Sequence, residues 1–512
     1  MSAVQQREDV GFDDSLKILQ WIEEVSSQVN QTAMQALRTL LTDRVDAGGK
    51  VLQQMARLLT QIASDMDNSA SNHALDTLVS TGGGPIAALN KKIAAVYGAS
   101  SARITVSGSS GTNLAAVGIV LPGLLKPDRK TVVVDRDCHI SVVGGFVSSG
   151  LQVRWIRRRY VEEYDVQAPI DVADVRRVFT ERADIGALII TAPTYDGFDA
   201  PIEKLASLCK EHGILLIVDS AWGPAHGALA EAGFPRSAVE RGADIAVISL
   251  HKKGFAPSQI AAALFRSADH AGVFDMAGCL GFQTTSPNYF LLSLAEHSID
   301  QFRDRSLVEP WKKTVKAARI LAERIPREIP GSRVIKARDI GADTGDPCHL
   351  LVNVAGLKIT GRELMHAMNE RGFDPEKATK DTVLFLLGPH EADDDAGFLE
   401  ELKAAVADST SKAPASNGKP SSLVIPSAMP EVVCTIREAV IGATKEVALD
   451  SAAGEVAAHV IAVYPPGTAL VVPGERITGD HIAYIKTVFA GGGNVRGVDG
   501  THPVLRVAQF SK

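Results

Sequence analysis

The chain has 512 residues, 45% hydrophobic, 22% charged and 5% aromatic, with 53 Lys and Arg against 60 Asp and Glu for a net charge of −7. That length can bury a large core in about three units, at roughly 150 residues per domain. Mild acidity and few aromatics argue against a nucleic-acid partner, and the composition excludes collagen, disorder and a disulfide scaffold.

The amino-terminal MSAVQQREDVGFDDS has no apolar signal core, and no run approaches about 18 apolar residues, so the expectation is a cytoplasmic chain with no membrane contact. Five scattered cysteines (Cys138, Cys209, Cys279, Cys348, Cys434), with no CxxC pair, read as free thiols without a zinc or dithiol motif. Helical spacing in Leu16, Leu19, Ile22 and Val25, and again in Leu52, Met55, Leu58, Leu59 and Ile62, predicts a helical arm over residues 1–80. A further helix, Ile86 to Tyr97, follows the turn-rich Thr81-Gly82-Gly83-Gly84-Pro85.

From there short β-branched runs alternate with helical segments: Ile104–Val106, Thr131–Val134, Val153–Ile156, Ala187–Thr191, Leu215–Val218, Ile245–Ile248 and Ile260–Phe265. Most are apolar on consecutive positions, as strands buried on both faces are. The expectation is an α/β large domain over 81–325, with a mostly parallel sheet covered by helices. A helix from Leu307 to Arg324 then leads into a smaller α+β domain over 326–512. The polar segment DSTSKAPASNGKPSS (408–422) reads as an exposed linker or loop within it.

Three strand ends carry the chemistry. Ser249-Leu250-His251-Lys252-Lys253 follows the run Ile245–Ile248, where open α/β sheets place ligands; the alternative is a solvated lysine pair. Asp219 ends the run Leu215–Val218, and alone could be a helix cap. A carboxylate and a lysine converging on one pocket are what pyridoxal phosphate requires: a Schiff-base amine, and an acid that keeps the pyridine nitrogen protonated. Ser107-Gly108-Ser109-Ser110-Gly111-Thr112-Asn113 opens a helix and offers N–H groups and hydroxyls to a phosphate, although any Gly/Ser-rich βα turn has this composition. It matches neither dinucleotide nor nucleoside-triphosphate fingerprints.

In order and spacing, GSSGTN (108–113), DRDCHIS (135–141), PTYDGF (193–198), DSAW (219–222), SLHK (249–252), QTTSPNY (283–289), TIREA (435–439) and YPPGTALVVPGE (464–475) resemble the Orn/Lys/Arg decarboxylase family, in its short form. The resemblance implies a fold-type I, aminotransferase-like enzyme that uses pyridoxal 5'-phosphate. It implies Lys252 as the Schiff-base lysine, Asp219 as partner of the pyridine nitrogen and His139 as the ring-stacking imidazole. Ser109, Ser110, Ser249 and His251 would bind phosphate, Ala221 would pack beneath the ring, and the indole of Trp222 would touch the phenolic oxygen. Lys252, His251 or a nearby acid would return a proton to the α-carbon. Thr284 would reach the neighbouring subunit's site, which makes a homodimer the smallest working unit. Glu475 would receive the distal cation of the substrate, unless it is only a surface residue of a Pro-Gly-Glu turn. The expected reaction is decarboxylation of arginine, lysine or ornithine to an amine that feeds polyamine synthesis. The alternatives are an aminotransferase, oxidative deaminase or cyclase on the same fold, or a non-catalytic binding protein. Gly111, Ser107, Thr468 and Ala469 depart from the family pattern at the pocket edge.

Overall fold

The computed structural model describes residues 84–277, 284, 287–389, 395–412, 428–464, 469–490, 493–498 and 503–509; the expected helical arm and Cys279 lie outside them. The strands to residue 265 are β1 (Ser101–Thr105), β2 (Thr131–Asp135), β3 (Gln152–Ile156), a ribbon of β4 (Tyr160–Val161) and β5 (Val166–Gln167), β6 (Ile185–Thr191), β7 (Leu215–Asp219), β8 (Ile245–Ile248) and β9 (Ala261–Phe265). Each of the seven apolar runs is a strand of one seven-stranded sheet, ordered β1-β9-β8-β7-β6-β2-β3. The pairs from β8 through β3 are parallel, and β9 runs antiparallel to both of its neighbours. Strands β2, β8 and β9 are buried at every residue, which explains their unbroken apolar runs.

The crossovers are helical, and their ends follow local chemistry. Asp171 caps helix Val172–Glu181 through the Ala173 N–H, and left-handed Gly213 (φ +63°) closes helix Ile202–His212 and turns the chain into β7. The consequence that matters is directional. β2, β6, β7 and β8 all present their carboxyl ends on one side, so Asp135, Thr191, Asp219 and Ser249 gather there.

Helix Val308–Glu328 buries Val308, Trp311, Val315, Ala318, Leu321 and Ile325 along one stripe and carries the chain into the four-stranded sheet. That sheet is β10 (Arg333–Val334), β11 (His349–Asn353), β12 (Lys377–Ala378) and β13 (Thr382–Leu386), in the order β10-β11-β13-β12. Its core is continuous with the large sheet: Val218, Trp311, Val352 and Leu402 belong to one apolar cluster. The polar run expected as exposed from residue 408 begins as the last turn of helix Asp395–Lys412, where Asp408 takes a salt bridge from Arg371; residues 413–427 lie outside the described chain.

The last described strands are β14 (Thr444–Ala448), β15 (Ile461–Tyr464), β16 (Ala469–Val471), β17 (Asn494–Arg496) and β18 (Val504–Ala508), with helix Gly479–Ala490 packed on them. They bury a cluster of their own, including Ile461, Val471, Ile485, Val495 and Leu505. Ile436, Ala469 and Val472 instead join the large sheet's second apolar cluster.

Candidate active site

Asp219, the last residue of β7, is 2% exposed. Its Oδ2 accepts from Asn113 Nδ2 at 2.9 Å, and its Oδ1 accepts from the Ala221 N–H at 3.1 Å. Both donors are neutral. Among the described residues the other buried carboxylates all have cations: Asp135 has Arg158, Asp196 has Lys377, Asp199 has Arg241, Asp244 has Arg266, Asp346 has Lys253 and Glu475 has Arg136. A buried charge is expensive unless paired, so Asp219 marks a place where a cation belongs. A protonated pyridine nitrogen supplies one.

The two adjacent lysines are sharply different. Lys253 is buried and spent on Asp346, at 2.6 Å. Lys252 has no ion pair or hydrogen bond at its amine among the described residues; Nζ lies 4.0 Å from the centre of the Trp222 ring. Burial holds its pKa below the ordinary lysine value, while the negative charges of Asp219 and Glu376 pull the other way. A half-buried amine of lowered pKa is a nucleophile; an ammonium locked to a carboxylate is not.

Between strand ends and helix starts lies a cradle for an anion. Helix Gly108–Ala115 begins three residues after β1, and its first-turn N–H groups have no partner within the helix. Ser249 Oγ donates to Ser109 Oγ at 2.6 Å, so the end of β8 is tied to that helix start, with Ser110 exposed beside it. His251 Nδ1 sits 2.9 Å from the Ile260 carbonyl; the carbonyl can only accept, so the ring proton is on Nδ1 and Nε2 is left for chemistry. His139 caps helix Ile140–Ser149, its Nδ1 accepting from the Ser141 N–H at 3.2 Å and lying 2.7 Å from Ser141 Oγ. Asn113 reaches the same Ser141 Oγ at 3.2 Å, so His139, Ser141, Asn113 and Asp219 form one chain of polar contacts. Desolvation lowers the His139 pKa; Asp219 opposes this and Lys252 and Arg496 add to it. The residues present therefore fit pyridoxal phosphate, with a nucleophilic amine, a cation-seeking acid and an anion cradle on one side of one sheet.

One expected residue is elsewhere. Glu475 is 1% exposed, with Oε1 and Oε2 held by Arg136 at 2.6 and 2.7 Å and the Val472 N–H on Oε2 at 2.9 Å. The substrate role expected for it is corrected: both oxygens are committed to a guanidinium, and no lone cation can compete with a buried bidentate pair. Thr284 is solvent-exposed in the chain. Besides Asp219, the carboxylate whose charge acts on Lys252 is Glu376, half-buried just before β12, which accepts a hydrogen bond from the Tyr195 hydroxyl. The next rung is Asp196 with Lys377 at 2.7 Å. Asn113, Ser141 and Glu376 were not among the expected site residues. The first two sit inside recognisable motifs, while FDPEK carries no such signal.

A model of the Orn/Lys/Arg decarboxylase major domain matches residues 58–340, and one of that family's C-terminal domain matches residues 424–499. The chain belongs to the Orn/Lys/Arg decarboxylase family. It is 28% identical to the arginine decarboxylase of Bacillus subtilis (strain 168) over 436 residues, which cover 82% of this chain and 84% of that protein. It is also 28% identical to the arginine decarboxylase of Bacillus anthracis, over 444 residues and the same shares. Among solved structures, the constitutive lysine decarboxylase of E. coli superposes with a TM-score of 0.71 at 18% identity, covering 97% of this chain and 84% of that one. A Francisella novicida lysine decarboxylase gives 0.69 at 18% identity, with 86% and 74% covered. The decarboxylase family is pyridoxal-phosphate-dependent, and this chain is a carboxy-lyase of that kind with the aminotransferase-like fold.

Proposed function

We propose that the protein decarboxylates a basic amino acid, arginine, lysine or ornithine, with Lys252 as the residue that holds the cofactor. The observation that carries this reading is the pairing of Asp219, the one buried carboxylate without a cation among the described residues, with the unpaired amine of Lys252. When bound, pyridoxal phosphate supplies an electron sink for the pair left on the α-carbon as CO2 departs. Asp219 would keep the pyridine nitrogen protonated. Ser109, Ser110, Ser249 and His251 would hold the phosphate, and Ala221 and His139 would contact the ring. Lys252 would carry a proton to the α-carbon of the substrate, with His251 Nε2 as the second group able to move one. Glu376 receives the ammonium or guanidinium of the substrate through a charge-assisted hydrogen bond, oriented by Tyr195. Thr284 completes the neighbouring subunit's site in a homodimer, in the cytoplasm, and the amine produced enters polyamine synthesis.

The reconstituted protein is incubated with arginine, lysine and ornithine, and CO2 and amine are quantified by mass spectrometry. CO2 in equal amount to amine supports the reading; a keto acid without CO2 sinks it. Borohydride reduction followed by peptide mapping should place the cofactor on Lys252 and not on Lys253. Glu376→Gln should raise KM for the basic substrate by about tenfold or more, as the loss of a charged hydrogen bond requires.

A further inference from the structure

The lysine next to Lys252 has no part in the chemistry above, yet it is the more deeply buried of the two. Lys253 Nζ lies 2.6 Å from Asp346 Oδ2 and 3.0 Å from His349 Nδ1, and His349 Nδ1 is 3.3 Å from Asp346 Oδ1. The Asp346 side chain is fully buried and that of His349 is 1% exposed. Asp346 takes the Cys348 N–H at 2.9 Å, and His226 Nε2 stands 3.8 Å from its Oδ2. Lys253 comes from the loop after β8, whereas Asp346 precedes β11 and His349 begins it. The cluster thus joins the loop after β8 of the large sheet to the start of β11 in the small one.

From this cluster His349 reaches forward. Its ring meets Trp222 edge-on, with centroids 5.5 Å apart and planes at 85°, and the Trp222 ring carries the Lys252 amine. Tyr195 meets the same indole edge-on at 5.8 Å and 78°. The backbone makes room for the imidazole: Gly197 has φ +88°, and a Cβ there would lie 2.4 Å from His349 Cγ. His349 Nε2 is buried without a hydrogen-bond partner among the described residues. Stability alone gives no reason to keep such an atom, since an apolar ring would fill the space without an unsatisfied nitrogen.

We propose that His349 is a positioning residue for the reaction: Lys253 and Asp346 fix its ring, and the ring fixes the Trp222 indole against the amine of Lys252. The inference rests on Lys252 as the cofactor's residue. The contacts close a circuit, from Lys252 through Trp222, His349 and Asp346 to Lys253, which is bonded to Lys252 through the backbone. A shift of the small sheet is thereby felt at the amine. The other groups that act on Lys252 are Asp219 and Glu376, with His139 and His251 sensing its charge; those around His349 are Asp346, Lys253 and Asp196.

The test reads the Lys252 amine directly. The full-length, cofactor-free protein is labelled with 1-fluoro-2,4-dinitrobenzene across a pH series, and Lys252 is quantified by peptide mass spectrometry. Burial is the largest cause that lowers this amine's pKa, so loosening the indole admits water and raises the labelling midpoint, by about one unit in His349→Ala. That variant leaves the Lys253–Asp346 pair intact and strands no charge. His349→Phe keeps a ring against Trp222 and should stay near the wild-type midpoint. The Lys253→Met, Asp346→Asn double variant removes both charges together and should move the midpoint as His349→Ala does. In the cofactor-loaded enzyme kcat should fall about tenfold in His349→Ala with KM little changed. An unmoved midpoint in a folded His349→Ala overturns the proposal, as does a rise in KM alone. Labelling needs neither cofactor nor substrate, so a failure to find decarboxylation leaves this result readable in its own right.

Discussion

At the residue scale the site separates groups by whether their charge is answered. Asp219 has neutral donors where comparable carboxylates have cations, so Asp219→Asn keeps the shape and removes the charge. Its kcat should fall on the order of 10²–10³-fold, as for loss of a preorganised electrostatic group, while bound-cofactor absorbance persists; steady-state rates and spectra check this. Lys252 gives a stability prediction of definite sign. With its folded pKa below the unfolded 10.5, the unfolded chain binds more protons between the two values, so stability rises with pH across that window. Lys252→Met should therefore stabilise the cofactor-free protein most below the folded pKa, with the gain shrinking as pH approaches 10.5; melting curves at pH 7 and pH 10 compare the two. Lys252, Asp219 and the Ser109–Ser110 turn were legible because each lies at or just beyond the end of a strand, where sequence neighbours are also spatial ones. Glu376, Asp346 and His349 were not, since only the pairing of β11, β12 and β13 brings them beside residues more than 90 positions away. Glu475 misled for the same reason: its partner Arg136 is 339 positions distant, inside a motif read for its histidine.

At the scale of elements, periodicity was the reliable guide and polarity the weaker one. All seven strands of the large sheet follow from apolar runs, whereas the polar segment from Asp408 begins as the end of a helix, with Arg371 paired to the Asp408 carboxylate. Helix Gly479–Ala490 shows a start signal that depends on a protonation state. The Thr478 N–H donates to His481 Nδ1 at 3.1 Å, and the His481 N–H to Thr478 Oγ1 at 3.3 Å, a capping box with histidine in the place of Glu or Gln. Burial, then the charge of Arg136, push His481 down to about 4. The unfolded histidine titrates near 6.5, so stability is full above that value and lost as pH falls from there to about 4, by roughly 3 kcal/mol at most. His481→Gln keeps an acceptor for the Thr478 N–H without titrating. Denaturant melts at pH 7 and pH 4.5 should show a smaller difference in the variant than in the wild type.

At the scale of the molecule, one buried pair ties the large sheet to the carboxy-terminal unit. Arg136, just beyond β2, holds Glu475 in the carboxy-terminal unit and also donates to the carbonyls of Ala469 and Leu470, at 3.2 and 3.0 Å. Glu475→Ala leaves a buried guanidinium unanswered and should cost about 3–5 kcal/mol of stability by chemical denaturation, with the preference among basic substrates unchanged. The mild net charge of −7 fits this picture, because acidic residues are used singly and locally rather than as a field.

That tie also bears on what counts as one protein. Ile436, Ala469 and Val472 sit in the large sheet's own apolar cluster, and Arg136 reaches across to Glu475, so the carboxy-terminal unit is seated by the same forces that fold the rest. Side-chain contacts hold it to the large sheet, so a break between Lys412 and Ala428 tests their strength. Expressed as two polypeptides divided there, the halves should find each other in solution, and a carboxy-terminal half carrying Glu475→Ala should not.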